Sequence, residues 1–184
     1  MNTKNLTLKL MTLILGAMFV ACSKPPSVLP NIKVNKQCDK PIVAYKMGSI
    51  KSGEYNQLNI DENAIKTMLE NTLSQSGCFV STDVLGHNGE YLLEVVYGSI
   101  NIKSNRGDWL QSTSQNAGII ELQMAFSNQN EFRVFSGKAT IENSNNQYFT
   151  LGKEATLLPQ EVRQTILNAI NAATNEAITN FKTN

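Results

Sequence analysis

Residues 64–80 read Ala64-Ile65-Lys66-Thr67-Met68-Leu69-Glu70-Asn71-Thr72-Leu73-Ser74-Gln75-Ser76-Gly77-Cys78-Phe79-Val80. Ile65, Met68, Leu69, Thr72 and Leu73 fall three and four apart, which is one face of a helix. Asp61 or Asn59 can cap its start, with Glu62 three after Asn59. Gly77 suits the left-handed position that ends a helix. A short strand, 79–82, follows at once. Upstream, after Pro41, the run Ile42, Val43, Ala44, Tyr45, Met47 reads as a buried strand. Strand, helix and strand in that order form a crossover unit. If the two strands are parallel, the crossover is right-handed.

Working outward, Asn88-Gly89 supplies a tight turn. Residues 91–102 form the longest strand candidate. Tyr91, Leu93, Val95 and Tyr97 share one face; Leu92, Val96 and Ile100 share the other, so this strand belongs in the middle of a sheet. The polar stretch 103–117 breaks the pattern and reads as a mobile loop. Ile120, Leu122, Met124 and Phe126 alternate with polar residues as a half-buried strand. Asn128-Gln129-Asn130 turns the chain into a hairpin partner, 132–141, with Gly137 marking a bulge or a close backbone approach. Residues 143–152 read as a second polar connection. Pro159 opens the last helix, whose apolar stripe is Val162, Ile166, Ala169, Ile170, Ala173, Ala177 and Phe181. Both helices have one apolar stripe. The expected fold is α/β (α+β), a two-layer sandwich of two helices on a mixed sheet, in the order strand-helix-strand-strand-strand-strand-helix.

The N-terminus carries Lys4 and Lys9, then a mostly apolar run, 10–21, about 18 Å long as a helix and too short for a bilayer core near 30 Å. A basic start, a short apolar stretch and a small residue at the end form a secretory signal over residues 1–21. Phe19-Val20-Ala21 precedes Cys22, and here the chain resembles bacterial lipoproteins, with Phe19 standing where leucine is usual. The resemblance implies lipidation of Cys22; the alternative is an ordinary signal peptide beside a coincidental cysteine. Each buried CH₂ of an acyl chain would add about 0.8 kcal/mol of anchoring. Ser23, rather than aspartate, implies the outer membrane in the enterobacterial pattern. Residues 22–40, with Pro25, Pro26 and Pro30, read as a lipidated flexible tether reaching roughly 55 Å. Residues 41–184 then form a single periplasmic domain.

Cys38 and Cys78 are left in an oxidising compartment, where two cysteines make one bridge. They lie at the same sheet end if the first two strands are parallel neighbours, and we expect a disulfide. The alternative is two separate thiols, with Cys78 packed in the core. Two cysteines and the lone His87 give no metal-ligand spacing, so neither a metal nor another cofactor is expected.

The mature chain would have 163 residues, enough for one domain with its own core. Charged residues are only 17%, and 22 asparagines supply much of the polarity. Without Lys4 and Lys9 the 16 basic residues become 14 against 15 acidic, a net charge of −1. Nucleic acid needs a basic field, so it is excluded as the main partner.

The leader ending in Cys22, the helix into Cys78-Phe79-Val80, the run Glu90-Tyr91-Leu92-Leu93 on to Gly98-Ser99-Ile100, and the closing amphipathic helix resemble one group of envelope proteins. These are the YajG-like, curli-secretion and penicillin-binding-protein-activator lipoproteins. Auxiliary lipoproteins of lipid-transport systems are similar in pattern. The resemblance implies a non-catalytic adaptor or assembly factor for a cell-envelope machine, at the periplasmic face of the outer membrane. A lipid or small-ligand binding module is the alternative.

Catalytic groups do not gather in the sequence, and no enzyme is expected. His87 reads as an exposed turn residue, and Glu90 and Glu94 as strand-edge charges rather than an acid/base pair. Arg106-Gly107-Asp108 reads as a glycine turn flanked by charges. Trp109 and Leu110 on the polar stretch form either a partner anchor or a plug folded back on the sheet edge. The expected partners are a membrane, through the anchor, and an envelope protein; the sequence assigns no oligomeric state.

Overall fold

The computed structural model describes residues 35–85, 89–108, 110–149 and 151–183. The elements are β1 (Val43–Asn56), α1 (Glu62–Ser76), β2 (Phe79–Ser81), β3 (Tyr91–Gly107), β4 (Gln111–Ser127), β5 (Phe132–Tyr148) and α2 (Pro159–Thr183). They form a two-layer α+β sandwich. The five strands make one sheet in the order β2-β1-β3-β4-β5. β1 is parallel to both β2 and β3, and β3, β4 and β5 form an antiparallel meander.

Local chemistry explains the crossover. Asp61 caps α1 by accepting a hydrogen bond from the Ala64 N–H at 3.0 Å. Gly77 closes it at φ 71°, where its N–H donates to the Ser74 carbonyl. A Cβ at Gly77 would also collide with the Cys38 backbone oxygen, so this turn needs glycine twice over. The next residue, Cys78, is bonded to Cys38, closing a separation of 40 residues. The entering chain is held here by more than sulfur. Gln37 and Cys38, in the stretch read as tether, donate their N–H groups to the Ser76 carbonyl. Lys182 of α2 donates to the Gln37 carbonyl, and the Gln37 side chain donates to Asn175.

The core lies between the sheet and the helices. Tyr45, Leu93, Val95, Tyr97, Ile120, Leu122, Met124 and Phe126 face Ile65, Leu69 and Leu73 of α1 and Ile166, Ile170 and Ile178 of α2. Each large aliphatic side chain removed from water there contributes about 1.5–3 kcal/mol. At the disulfide end Phe79, Tyr91, Phe126, Phe135 and Phe181 pack edge to face and stacked, with centroids 5.3–6.3 Å apart among Phe79, Phe126, Tyr91 and Phe181. Arg133 lies 4.8 Å over the Phe181 ring and pairs with Glu131. The alanine stripe of α2 lets the helix come close to β5 at Gly137, which is the close approach expected there.

Two expectations are corrected. The stretch 103–117 is no loop: β3 runs on to Gly107 and β4 begins at Gln111, in unbroken register from Leu92↔Ser127 to Gly107↔Ser112. The stretch 143–152 is likewise mostly strand, since β5 continues to Tyr148. The result is a three-stranded arm that projects past the end of β1. Its rungs are polar: Thr113 donates to Asn146, Ser112 to Gln147 and Ser104 to Gln115. Backbone ladders hold this arm together, and an apolar period is absent from it.

Candidate functional site

Two surfaces stand out. The first is the sheet face opposite the helices. Along β3 the inward residues are buried, while Val96, Ile100 and Ile102 on the other face are exposed by 48%, 40% and 48%. Val134, Phe132, Ile42 and Val80 are also exposed. Register places Ile100 opposite Ile119, and Val96 opposite Gln123. On this face Lys138 pairs with Glu121 at 2.5 Å, and Glu94 accepts a hydrogen bond from Ser49 at 2.9 Å. Near the end of β1 the face dips into a hollow of about 210 Å³ lined by Tyr55, Val96, Gly98, Ile100, Ile119 and Gln123. Exposed apolar area gathered in one place marks contact surfaces rather than ordinary protein exterior.

The second surface is a cleft of about 660 Å³ at the other end of the helical layer. One wall is the 57–61 turn and the start of α1; the other is the segment 156–159 and the start of α2. The first wall is fixed by Asn56, whose side chain donates to the Ile60 carbonyl and accepts from the Ile60 N–H and from the Ser99 hydroxyl. Tyr97 donates to the same Ile60 carbonyl at 2.9 Å. Burial, helped by Glu62 and Asp61, raises the Tyr97 phenol above its ordinary pKa, so it remains a donor. The second wall belongs to a strap, 152–158, with no helix or strand structure of its own. Ser114 accepts from the Ala155 N–H, and Asn116, Asn143 and Asn145 donate to the carbonyls of Ala155, Thr156 and Glu154. The floor carries Asn101, Lys103 and Asn116 from adjacent strands. Apolar lining comes from Leu58, Met68, Leu157 and Val162.

Of the residues singled out from sequence, Cys38 and Cys78 are joined as a disulfide. Cys22, His87 and Trp109 lie outside the described residues. Leu110 is 44% exposed and sits in the β3–β4 turn. Its N–H and that of Gln111 donate to the Asp108 carboxylate, which holds that acid below its usual pKa. Asp108 and Gly107, at φ 129°, therefore build a hairpin turn. Leu110 lines neither the hollow nor the cleft. Glu94 faces the uncovered sheet side. Among the described residues no three His, Cys, Asp or Glu side chains gather as a metal site. No helix of the described residues is long and apolar enough to cross a membrane. The cleft escaped sequence reading because its walls come from four separate segments. The nearest sequence signal is the Asn101-Ile102-Lys103 run, where polar residues replace the inward apolar ones of β3.

No family model matches the chain, and no curated protein matches it. Solved structures do. A Helicobacter pylori homolog of a neuraminyllactose-binding hemagglutinin is 13% identical with a TM-score of 0.42, over 79% of this chain and 88% of that one. A Xanthomonas campestris protein of the DUF330 family is 12% identical, also with a TM-score of 0.42, over 79% of this chain and 88% of that one. A hypothetical protein from Chlamydia trachomatis is 6% identical with a TM-score of 0.24, over 53% of this chain and 72% of that one. All three come from bacteria.

Proposed function

We propose that the chain is a lipoprotein acylated at Cys22, held at the periplasmic face of the outer membrane, where it works as a non-catalytic adaptor or assembly factor. Its partner is another protein of a cell-envelope machine. The observation that carries this reading is the uncovered apolar face of β3 and β5. Water is a poor neighbour for Val96, Ile100 and Ile102, and docking a partner there removes that area from it. The paired charges on the face suit a protein surface better than a polyanion. On the sequence side, support comes from the leader ending at Cys22, and from the resemblance to the YajG-like, curli-secretion and penicillin-binding-protein-activator lipoproteins.

The test places a photo-crosslinking amino acid at Val96 or, as a control on the helical side, at Lys66. Irradiation of intact envelopes is expected to give a discrete crosslinked species from position 96 and none from 66. A smear of abundant porins from both positions would remove the reading. Labelled palmitate entering the wild-type chain and not the Cys22→Ala variant tests the anchor separately.

A second reading, a lipid or small-ligand binding module, is favoured by the 660 Å³ cleft, which falls within the roughly 300–1,000 Å³ of ligand pockets.

A further inference from the structure

The cleft contains polar groups that the fold itself does not satisfy. Asn116 is only 4% exposed and its Oδ1 has no hydrogen-bond partner, although its Nδ2 donates to Ala155. The Oδ1 of Asn101 is buried and unpartnered as well. Register pairs Asn101 with Gly118 and Lys103 with Asn116, so the two asparagines are diagonal neighbours on the same floor. A buried acceptor without a donor costs about 1–3 kcal/mol. Having two such acceptors side by side in a large cleft calls for a ligand that brings donors.

Charge specifies the rest of that ligand. Lys103 and Arg163 both line the cleft, and neither is in an ion pair among the described residues. α1 and α2 both begin at its walls, but Asp61 and Glu62 stand at one N-terminus and Glu161 at the other, so the positive charge of the cleft rests on Lys103 and Arg163 alone. Leu58, Met68, Leu157 and Val162 offer an apolar side. Hydroxyl donors, an anion and a hydrocarbon portion are thus accommodated together.

We infer that the cleft binds a phosphoester bearing free hydroxyl groups. The phosphate lies between Lys103 and Arg163, the hydroxyls donate to the Oδ1 atoms of Asn101 and Asn116, and any acyl portion follows Leu58, Met68 and Val162. Both amide oxygens are buried; Asn116 is bonded to the strap at Ala155, and a hydroxyl reaches its Oδ1 when the strap lifts. That strap is held to the arm by single side-chain bonds, each contributing about 1 kcal/mol, and not by a strand ladder. The inference rests on the ligand-module reading and gives it a substrate class.

The test is calorimetric titration of the purified chain without its leader, with three probes. These are dihexanoylphosphatidylglycerol below its micelle concentration, glycerol 1-phosphate, and dihexanoylphosphatidylcholine as a lipid without free hydroxyls. At least one hydroxylated phosphoester is expected to bind about tenfold more tightly than the phosphatidylcholine. Binding of the phosphatidylglycerol alone identifies a lipid headgroup as the source, and equal binding of glycerol phosphate identifies a free metabolite; both support the site. Lys103→Gln and Arg163→Gln should each weaken binding about tenfold, and Asn101→Leu should weaken it without lowering the unfolding temperature. Phosphatidylcholine binding as tightly as the others overturns the inference but leaves a lipid module standing. The same holds for binding that survives the double variant Lys103→Gln/Arg163→Gln. Silence from all three probes removes both.

Discussion

Gly137 of β5 faces the carbonyl oxygen of Ala169 so closely that a β-carbon placed on it would overlap that oxygen and stand 2.8 Å from the Ala173 nitrogen. The obstacle is helix backbone, which cannot swing aside as a side chain does. Gly137→Ala must lift α2 off the sheet, opening the layer that holds Ile166, Ile170 and Ile178. A loss of about 3 kcal/mol is expected, the upper end for an overpacked core, read as a lower urea midpoint at unchanged slope. A midpoint equal to wild type would mean that α2 is less tightly seated than described.

The Cys38–Cys78 bridge closes a separation of 40 residues, which in the chain-entropy account stabilises by about 4 kcal/mol. The double variant Cys38→Ser/Cys78→Ser should melt well below the oxidised protein. Reductant should lower the melting point of the wild type and leave the variant unmoved. Alkylation before reduction should find neither thiol free.

Tyr45 is buried beside Phe79, and burial, reinforced by Glu70, pushes its phenol up to about 12. The folded protein therefore keeps a proton that the unfolded chain releases near pH 10. Its contribution to stability is whole below pH 10 and is lost as pH rises towards 12. Between about pH 9 and about pH 11.5 the urea midpoint of the wild type should fall more steeply than that of Tyr45→Phe, which has no proton to lose. Parallel curves would show that the phenol is not held neutral.

Val96 projects from the uncovered side of β3, at 48% exposure. Replacing it with lysine should change folding stability by no more than about 0.5 kcal/mol, as for other surface sites. The same change should abolish capture of a partner by a photo-crosslinker placed at Ile100. Retained capture would move the docking surface elsewhere.

Much of the fold could be read from residue order. The helix face Ile65, Leu69, Leu73, the inward row Leu93, Val95, Tyr97 and the alternation Ile120, Leu122, Met124, Phe126 are periodic because one side of each element is buried. The two cysteines were readable as a bridge for the same reason, since the strands they flank are adjacent and parallel. The arm was not readable. In Lys103, Ser104, Asn105 and Arg106 there is no apolar residue to count, and strand structure there is imposed by neighbours Gln115 and Ser114, not by a core. Three polar runs of similar length, around residues 103, 115 and 145, were the available trace. The cleft was hidden for a related reason. Asn101 and Asn116 are 15 positions apart in the chain and meet only because the arm is a hairpin, so their shared floor exists only after β3 and β4 pair.

The covalent link between Cys38 and Cys78 also decides how the domain meets mechanical load. A pull arriving through residue 35 reaches sulfur before it reaches the strands, and is handed to the junction of α1 and β2 rather than peeling β1 away. There β2 lies parallel to β1, paired at Val43↔Phe79, Ala44↔Val80 and Tyr45↔Ser81, so load entering through Cys78 is shared between the two strands. Reduction would leave the same force to β1 and to the hydrogen bonds that tie Gln37 and Cys38 to Ser76, Asn175 and Lys182. The oxidation state of one bond thereby sets whether that load is shared covalently with β2 or left to hydrogen bonds.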